Sequence, residues 1–177
     1  MTATPQRPSR ARLEDSDGYA PERRWPLVRS LTTAGRVLSA LVLPAFAVLP
    51  PSGYGVLTTT GRRTGKKRRK CIRAIRKGTH VYVVSIPGAH AAWLKNTRAN
   101  PNVRLRIRGG TRDGVVRELS KPAETEVALA AYSETVNPSD YLAYALHRRG
   151  RPTRSKIKEL TQTWFRKGIP LVVDLRE

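Results

Sequence analysis

The chain has 177 residues, 39% of them hydrophobic, and carries a formal net charge of +21 at neutral pH. That length allows one folded domain with a real core and excludes two domains of ordinary size. Twenty Lys and Arg residues but no Asp or Glu lie between Arg23 and Arg112. Such a surface attracts nucleic acid, anionic lipid, or a phosphorylated or carboxylated small molecule, although a solvated basic surface without a ligand remains the alternative. The single Cys71 excludes an internal disulfide, and no Cys/His spacing suggests zinc.

The N-terminal region divides into two parts before the main domain. Residues 1–22 are rich in Pro, Ser, Arg and Asp and lack hydrophobic periodicity, which predicts a disordered tail. Residues 23–51 carry apolar residues at near-helical spacing, which predicts an amphipathic or membrane-surface helix. The apolar run at 37–49 is too short to span a bilayer, which takes about twenty residues. Three interpretations stay open for 23–51: a helix in the membrane interface, a helix packed over the core, and an export signal. We expect a cytoplasmic protein, peripheral on the inner face of the cell membrane if this helix contacts lipid.

Residues 52–177 are predicted to form an α+β domain. β-Branched runs separated by glycine-containing turns indicate strands, and later periodic segments indicate helices. The strand at 103–108 alternates strictly, so that Arg104, Arg106 and Arg108 face water or an anion. Antiparallel strands with helices inserted late favour a small barrel. The predicted strands are 55–60, 69–76, 80–86, 103–108, 114–119 and 169–174, with a short helix at 91–98 and two or three helices within 122–166.

The hairpin at 57–69 is the most informative segment of the sequence. Its glycine-punctuated turn joins a threonine-rich strand to a cationic one, and residues 62–69 include six Lys or Arg. Like charges at this spacing repel one another unless an anion or solvent compensates them. The hairpin therefore predicts an anionic ligand held at the turn.

Side-chain catalysis is poorly supported by the sequence. The turn at 61–65 matches neither a Walker nor a Rossmann phosphate loop. His80, His90 and His147 have no evident Ser or Cys partner, and the basic half of the chain lacks paired carboxylates. If the protein is an enzyme, a cofactor performs the difficult step and the protein supplies orientation and charge.

Three blocks of the sequence resemble the deazaflavin (coenzyme F420)-dependent nitroreductase and quinone reductase family. The first is the hairpin Thr-Thr-Gly-Arg-Arg-Thr-Gly-Lys-Lys-Arg at 59–68. The second is the strand and loop at 83–88 followed by Trp93, Asn96 and Asn100-Pro101, and the third is the segment 166–173. The resemblance implies a split β-barrel related to flavin-binding pyridoxamine-phosphate-oxidase-like proteins. It also implies hydride transfer from reduced coenzyme F420 to a quinone, nitro compound or similar acceptor.

The resemblance also implies roles for individual residues. The phosphate region of the cofactor would be held by cationic and hydroxyl side chains of the turn, its acidic tail by two lysines, and its ring by the loop after the third strand. The acceptor would meet tyrosine hydroxyls. The residues are Arg62, Arg63, Thr64 and Arg68 for the phosphate; Lys66 and Lys67 for the tail; Ser85, Ile86, Pro87, Gly88, Ala92 and Trp93 for the ring; and Tyr132, Tyr141 and Tyr144 for the acceptor.

Three features depart from the family pattern, and several simpler interpretations stay open. Arg63 replaces the usual Lys, the strand after the turn is unusually cationic, and the C-terminal helical region at 122–166 is longer than the family pattern predicts. Trp93 would serve equally well as a core residue, and Tyr141 and Tyr144 as packing residues. A non-enzymatic split barrel that binds nucleic acid or an anionic membrane surface is the alternative function. Few aromatic residues are interleaved with the cations, so we do not expect nucleic acid. A homodimer formed through the sheet is compatible with the fold.

Overall fold

The computed structural model describes residues 48–148 and 150–176. The predicted tail at 1–22 and residues 23–47 of the predicted N-terminal helix lie outside the described residues. Residues 48–51 of that predicted helix, and the domain that follows them, lie within the described residues.

Seven antiparallel strands form one curled sheet in the order β2-β1-β5-β6-β7-β4-β3. Ala74 alone separates β2 from β3, and these two strands are the opposite edges of the sheet. Because one residue joins both edges, the sheet has to curl into a half-barrel. The strands are β1 Tyr54–Thr60, β2 Lys67–Arg73, β3 Ile75–Lys77, β4 His80–Ser85, β5 Asn102–Ile107, β6 Gly110–Glu118 and β7 Ile169–Leu175.

Within residues 50–148 and 150–176, four α-helices accompany the sheet, and the first turns of three of them show why they begin where they do. Pro122 and Pro138 open α2 and α3, positions at which proline's missing N–H costs nothing. The Thr153 hydroxyl accepts from the Lys156 N–H at the start of α4. The helices are α1 Ala92–Ala99, α2 Pro122–Glu134, α3 Pro138–His147 and α4 Arg154–Lys167, and a 3-10 turn at Gly88–His90 precedes α1. None of the helices in the described ranges combines the length and apolar composition needed to cross a bilayer.

The apolar side chains form two main layers on opposite sides of the sheet. Inside the curl, Leu57 and Leu105 are fully buried together with residues of β4, β6, β7 and α1. Outside it, Tyr82 and Val172 pack against Phe165 of α4 and against α2. The helices therefore cover the outer side of β3, β4 and β7.

The predicted α+β split-barrel class is confirmed. The predicted strand 69–76 is two strands, because the chain stops pairing with β1 at Arg73 and starts pairing with β4 at Ile75. Between them the Ala74 N–H donates to the Gly53 carbonyl. The strand predicted near 114–119 begins at Gly110, since a tight turn pairs Gly110 directly with Ile107.

Candidate cofactor site

The turn between β1 and β2 is closed by backbone hydrogen bonds. The Gly61 N–H donates to the Lys66 carbonyl at 2.9 Å, and the Gly65 N–H donates to the Gly61 carbonyl at 2.8 Å. Gly65 has φ of +65°, a left-handed conformation that glycine adopts without strain. The turn therefore holds a fixed shape while the side chains from Arg62 to Lys66 remain exposed.

Asn96 of α1 fastens this turn to the body of the domain. Its Oδ1 accepts from the Arg62 backbone N–H at 3.2 Å and from Arg62 Nη1 at 3.3 Å. Its Nδ2 donates to the Thr59 hydroxyl at 3.2 Å. Asn96 and Thr59 are both buried. One amide thus fixes the turn backbone and orients the first arginine of the cationic run.

The cations of β2 alternate between the two sides of the sheet. Residues directly opposite each other on paired strands share a face, and Leu57 on the inner side lies opposite Lys70. Arg68 is opposite Thr59 on that same side. Lys67 and Arg69 consequently point to the outer side. The cations of β2 therefore form two groups, an inner one with Arg68 and Lys70 and an outer one with Lys67 and Arg69.

No carboxylate of the described residues forms an ion pair with any cation between Arg62 and Lys70. The described carboxylates that form ion pairs do so elsewhere, for example Glu118 with Arg98 and Asp113 with Arg104. Apart from the contact of Arg62 with Asn96, the described residues leave the hairpin cations to solvent and to ligands. This is the arrangement expected of a site for a polyanion.

The loop that follows β4 supplies backbone groups and an apolar surface. The fully buried Ser85 hydroxyl donates to the Gly88 carbonyl at 2.9 Å, which tightens the loop. Ile86 and Ala92 are exposed, and Pro87 lies exposed between Ile86 and Gly88. Trp93 is buried in the inner core, so it packs there as a core residue.

A buried polar network joins the end of β2 to the C-terminal helices. Arg73 Nε donates to Asp140 Oδ1 at 3.0 Å, and Arg73 Nη1 and Nη2 donate to the carbonyls of Tyr132 and Thr135 at 2.6 and 2.5 Å. The Tyr54 hydroxyl also donates to Asp140 Oδ1, at 3.0 Å. Burial, together with the Asp140 carboxylate, raises the pKa of Tyr54 far above its ordinary value. The network fixes the strand that carries the cationic run.

The three predicted acceptor tyrosines occupy different surroundings. Tyr132 is fully buried, with the Arg73 guanidinium 4.4 Å above its ring and Phe165 at 5.8 Å between ring centroids. Burial raises the pKa of Tyr132 to about 12. Tyr144 packs with Ile157 in a separate small core between α3 and α4, while Tyr141 is 40% exposed. The structure does not bring these three rings together, and their acceptor role stays a prediction.

The sequence-based site omitted three residues that the structure places at or beside the hairpin. Asn96 lies in a motif that the resemblance identified, so a signal for it was present. Lys70 and Arg73 look like two more cations of an unusually basic strand. Nothing in the sequence distinguishes the inward Lys70 from its outward neighbours, or the buried Arg73 from exposed arginines, until the strand register is known.

The chain is similar to several known proteins. The family model described as F420H(2)-dependent quinone reductase matches residues 28–153. A solved F420-H2-dependent reductase, FDR-A, is 23% identical, with a TM-score of 0.46 over 69% of this chain and 94% of that one. A domain-swapped dimer is 21% identical, with a TM-score of 0.49 over 84% of this chain and 98% of the other. A putative pyridoxamine 5'-phosphate oxidase from Listeria innocua is 13% identical, with a TM-score of 0.44 over 79% and 94% of the two chains.

Proposed function

Because the chain belongs to the F420H(2)-dependent quinone reductase family, we propose that it transfers a hydride from reduced coenzyme F420 to a quinone, nitro compound or similar apolar acceptor. That it is an F420-dependent oxidoreductase follows from the family. The class of acceptor and the residues that hold both reactants are the proposal. The observation that carries it is the fixed turn at 61–66, whose exposed cations form no ion pair with a described carboxylate.

The donor groups present fit the chemistry of the cofactor. Coenzyme F420 carries a phosphodiester and carboxylates at its non-reacting end, and guanidinium groups bind such oxygens with two parallel hydrogen bonds. Arg62, Arg63 and Arg68 supply guanidiniums on or beside the turn, and Thr64 adds a hydroxyl. Lys66 and Lys70 add charge without fixed geometry. Lys67, which the resemblance assigns to the acidic tail, points to the outer side of the sheet. No acidic side chain of the described residues has to be displaced before the anion binds.

The chain's own residues bind, orient and shield the reactants. Bound F420H2 supplies a hydride at its deazaflavin ring. The turn cations would hold the acidic end, Asn96 would keep Arg62 in place, and the loop at 85–88 would flank the ring. Positioning of two reactants in a dry pocket accounts for a large part of the acceleration of such reactions.

The acceptor side is proposed to be apolar. Ile86 and Ala92 expose apolar surface beside the buried Ser85, in the loop assigned to the ring. A flat, uncharged quinone or nitroaromatic compound buries such surface favourably, whereas a charged acceptor gains nothing from it. A Tyr hydroxyl would then meet the developing negative charge on the acceptor oxygen, Tyr141 being the exposed candidate.

The test is direct titration of the purified protein with coenzyme F420, followed by cofactor fluorescence, with flavin mononucleotide titrated in parallel. We expect saturable F420 binding and much weaker flavin binding. Turnover of F420H2 with a quinone and with a nitroaromatic compound then ranks the acceptors. Absence of saturable F420 binding would refute the assignment of the hairpin as the cofactor site.

A further inference from the structure

His90 lies in the loop region assigned to the deazaflavin ring, on a backbone of fixed shape. It ends the 3-10 turn Gly88–His90 and directly precedes the segment that opens α1. The Gly88 carbonyl accepts from the Ser85 hydroxyl at 2.9 Å and from the Ala91 N–H at 3.3 Å. The imidazole itself is exposed. His90 is therefore a solvent-accessible side chain that a tightly bonded turn holds in place.

Both ring nitrogens of His90 are available for proton transfer. Within residues 48–148 and 150–176, no described group forms a hydrogen bond or an ion pair with its imidazole. His80 differs, because its Nδ1 lies 2.8 Å from Asp174 Oδ1 on the neighbouring strand β7. An imidazole with both nitrogens open to solvent can take a proton from water at one nitrogen and donate a proton from the other.

The apolar surface proposed for the acceptor lies on both sides of His90 in the chain. Ile86 is four residues before it and Ala92 two residues after it, and both are exposed. His90 is also the one titratable side chain between Ser85 and Ala92. An acceptor that covers this apolar surface would therefore lie against the turn that carries the imidazole.

Reduction of a quinone by hydride leaves one proton to be supplied. The hydride brings both electrons, which turns the neutral quinone into a hydroquinone monoanion with negative charge on one oxygen. Protonation of that oxygen completes the product, while oxidation of the cofactor releases one proton to solvent, so atoms and charge balance. A side chain that donates the proton as the charge develops accelerates such a step by about 10²–10⁴-fold.

The buried tyrosines are poor sources of this proton. Tyr132 is fully buried, and burial raises its pKa to about 12. The Tyr54 hydroxyl donates to Asp140 within the buried network. Tyr144 packs in the small core between α3 and α4. The exposed Tyr141 can donate a hydrogen bond to an acceptor oxygen, but phenols are in general much weaker acids than imidazolium groups.

We propose that His90 is the general acid that protonates the reduced acceptor. The N–H bond of its imidazolium breaks, an O–H bond forms on the acceptor, and the neutral imidazole then takes a new proton from water. Histidine suits this step because imidazole exchanges protons readily near neutral pH. The inference rests on the proposed function. It favours quinones among the acceptors, because the oxygen of a hydroquinone monoanion is basic enough to need an acid.

The first experiment compares H90Q with the parent and with the matched control H80Q. His80 begins β4 and Ser85 ends it, which places the control about 16 Å from the start of the loop. Reduced F420 is bound first, and its oxidation by a quinone is followed in a single turnover. We expect H90Q to lower the rate constant by about a hundredfold or more, and H80Q to react like the parent. F420 affinity, measured by fluorescence titration, should stay within about threefold of the parent in both variants, since the proposed proton transfer is to the acceptor.

The second experiment separates acid catalysis from a structural role of His90. It uses a series of quinones whose hydroquinone monoanions differ in basicity. We expect H90Q to lose most with alkyl-substituted quinones, whose reduced oxygens are strongly basic, and least with halogen-substituted ones. Imidazole added to H90A should restore part of the rate and should have no such effect on H80A. Thermal unfolding of each variant checks that the fold is retained.

Three results would overturn the inference while leaving the proposed function intact. One is normal F420 binding with equal quinone rates in H90Q and H80Q. Another is an equal loss for every quinone in H90Q together with weaker F420 binding, which would mean that His90 positions the cofactor. The third is a folded H90A variant that added imidazole does not accelerate. A parent protein that does not bind F420 would instead refute the proposed function, and the role of His90 with it.

Discussion

Arg73 and Asp140 form a buried ion pair that joins the end of β2 to the start of α3, with Nε and Oδ1 3.0 Å apart and each side chain at most 3% exposed. Asp140 Oδ2 also accepts the Asn137 backbone N–H at 2.8 Å, which closes the first turn of α3. The strand with the cationic run and the C-terminal helices are thus held by one pair of charges.

Replacing Asp140 with Ala should destabilise the domain severely. It leaves the Arg73 guanidinium buried without its counter-ion, a change that typically costs about 3–5 kcal/mol. Urea denaturation followed by circular dichroism measures the free energy of unfolding. D113A, which breaks the exposed pair with Arg104, is the control and should change stability little. Equal losses in the two variants would contradict the role given to the buried pair.

Gly53 should not tolerate a side chain. It has φ of +79°, and a Cβ there would lie 2.2 Å from Asn137 Nδ2. G53A should therefore lower the free energy of unfolding by about 2 kcal/mol or more, from backbone strain and the clash together. G65A is the control, because Gly65 has a similar φ of +65° but nothing within 4 Å of its added Cβ. A smaller effect for G53A than for G65A would show that Asn137 moves away freely.

Cations of the turn and of the inner side should contribute more to cofactor affinity than cations of the outer side. The variant R62Q/R68Q should weaken F420 binding by more than about tenfold, since charge-assisted contacts contribute about 1.5–3 kcal/mol each. R69Q/R104Q removes the same charge from the outer side and should stay within about twofold of the parent, because solvent screens distant charges. Fluorescence titration measures both. Equal losses would mean that only the total charge of the hairpin matters.

Asn96 should affect cofactor affinity without touching the cofactor. In N96A the Arg62 backbone and side chain lose their acceptor, and the turn becomes less well ordered. We expect F420 affinity to fall by about fivefold or more, as pre-organisation is lost. N100A, at the end of the same helix, is the matched control, because within the described part of the chain the side-chain amide of Asn100 bonds only to Asn102. The rate at which bound F420 dissociates should rise in N96A and not in N100A.

Stability should decline at alkaline pH in a way that depends on Tyr132. Burial raises the pKa of Tyr132 from 10.0 to about 12, so the folded state disfavours the phenolate that the unfolded chain forms readily. The contribution to stability is therefore complete below pH 10 and is lost as the pH rises towards 12. Y132F should flatten the decline of unfolding free energy across this range. An identical decline in Y132F and the parent would assign it to other groups, among them Tyr54.

Local patterns in the sequence predicted most of the strands and helices of the fold. Alternation of Val, Leu and Ile with Arg predicted β5, and glycine-containing turns located the β1–β2 hairpin. The break at Ala74 was missed, because a change of strand partner leaves no trace in the periodicity of a single segment. The contact of Arg73 with Asp140 joins residues 67 positions apart, and no local pattern encodes it.

The sequence by itself determined that the hairpin at 57–69 carries more positive charge than a fold requires, since residue identity alone fixes charge. It also determined the family resemblance, through motifs at fixed spacing. Only the tertiary structure decided what each cation faces. Pairing with β1 directs Arg68 inward and Arg69 outward, and curling of the sheet buries Arg73 under the helices. Strand register and packing, rather than composition, divide one basic segment into an inner cluster, an outer face and a buried structural charge.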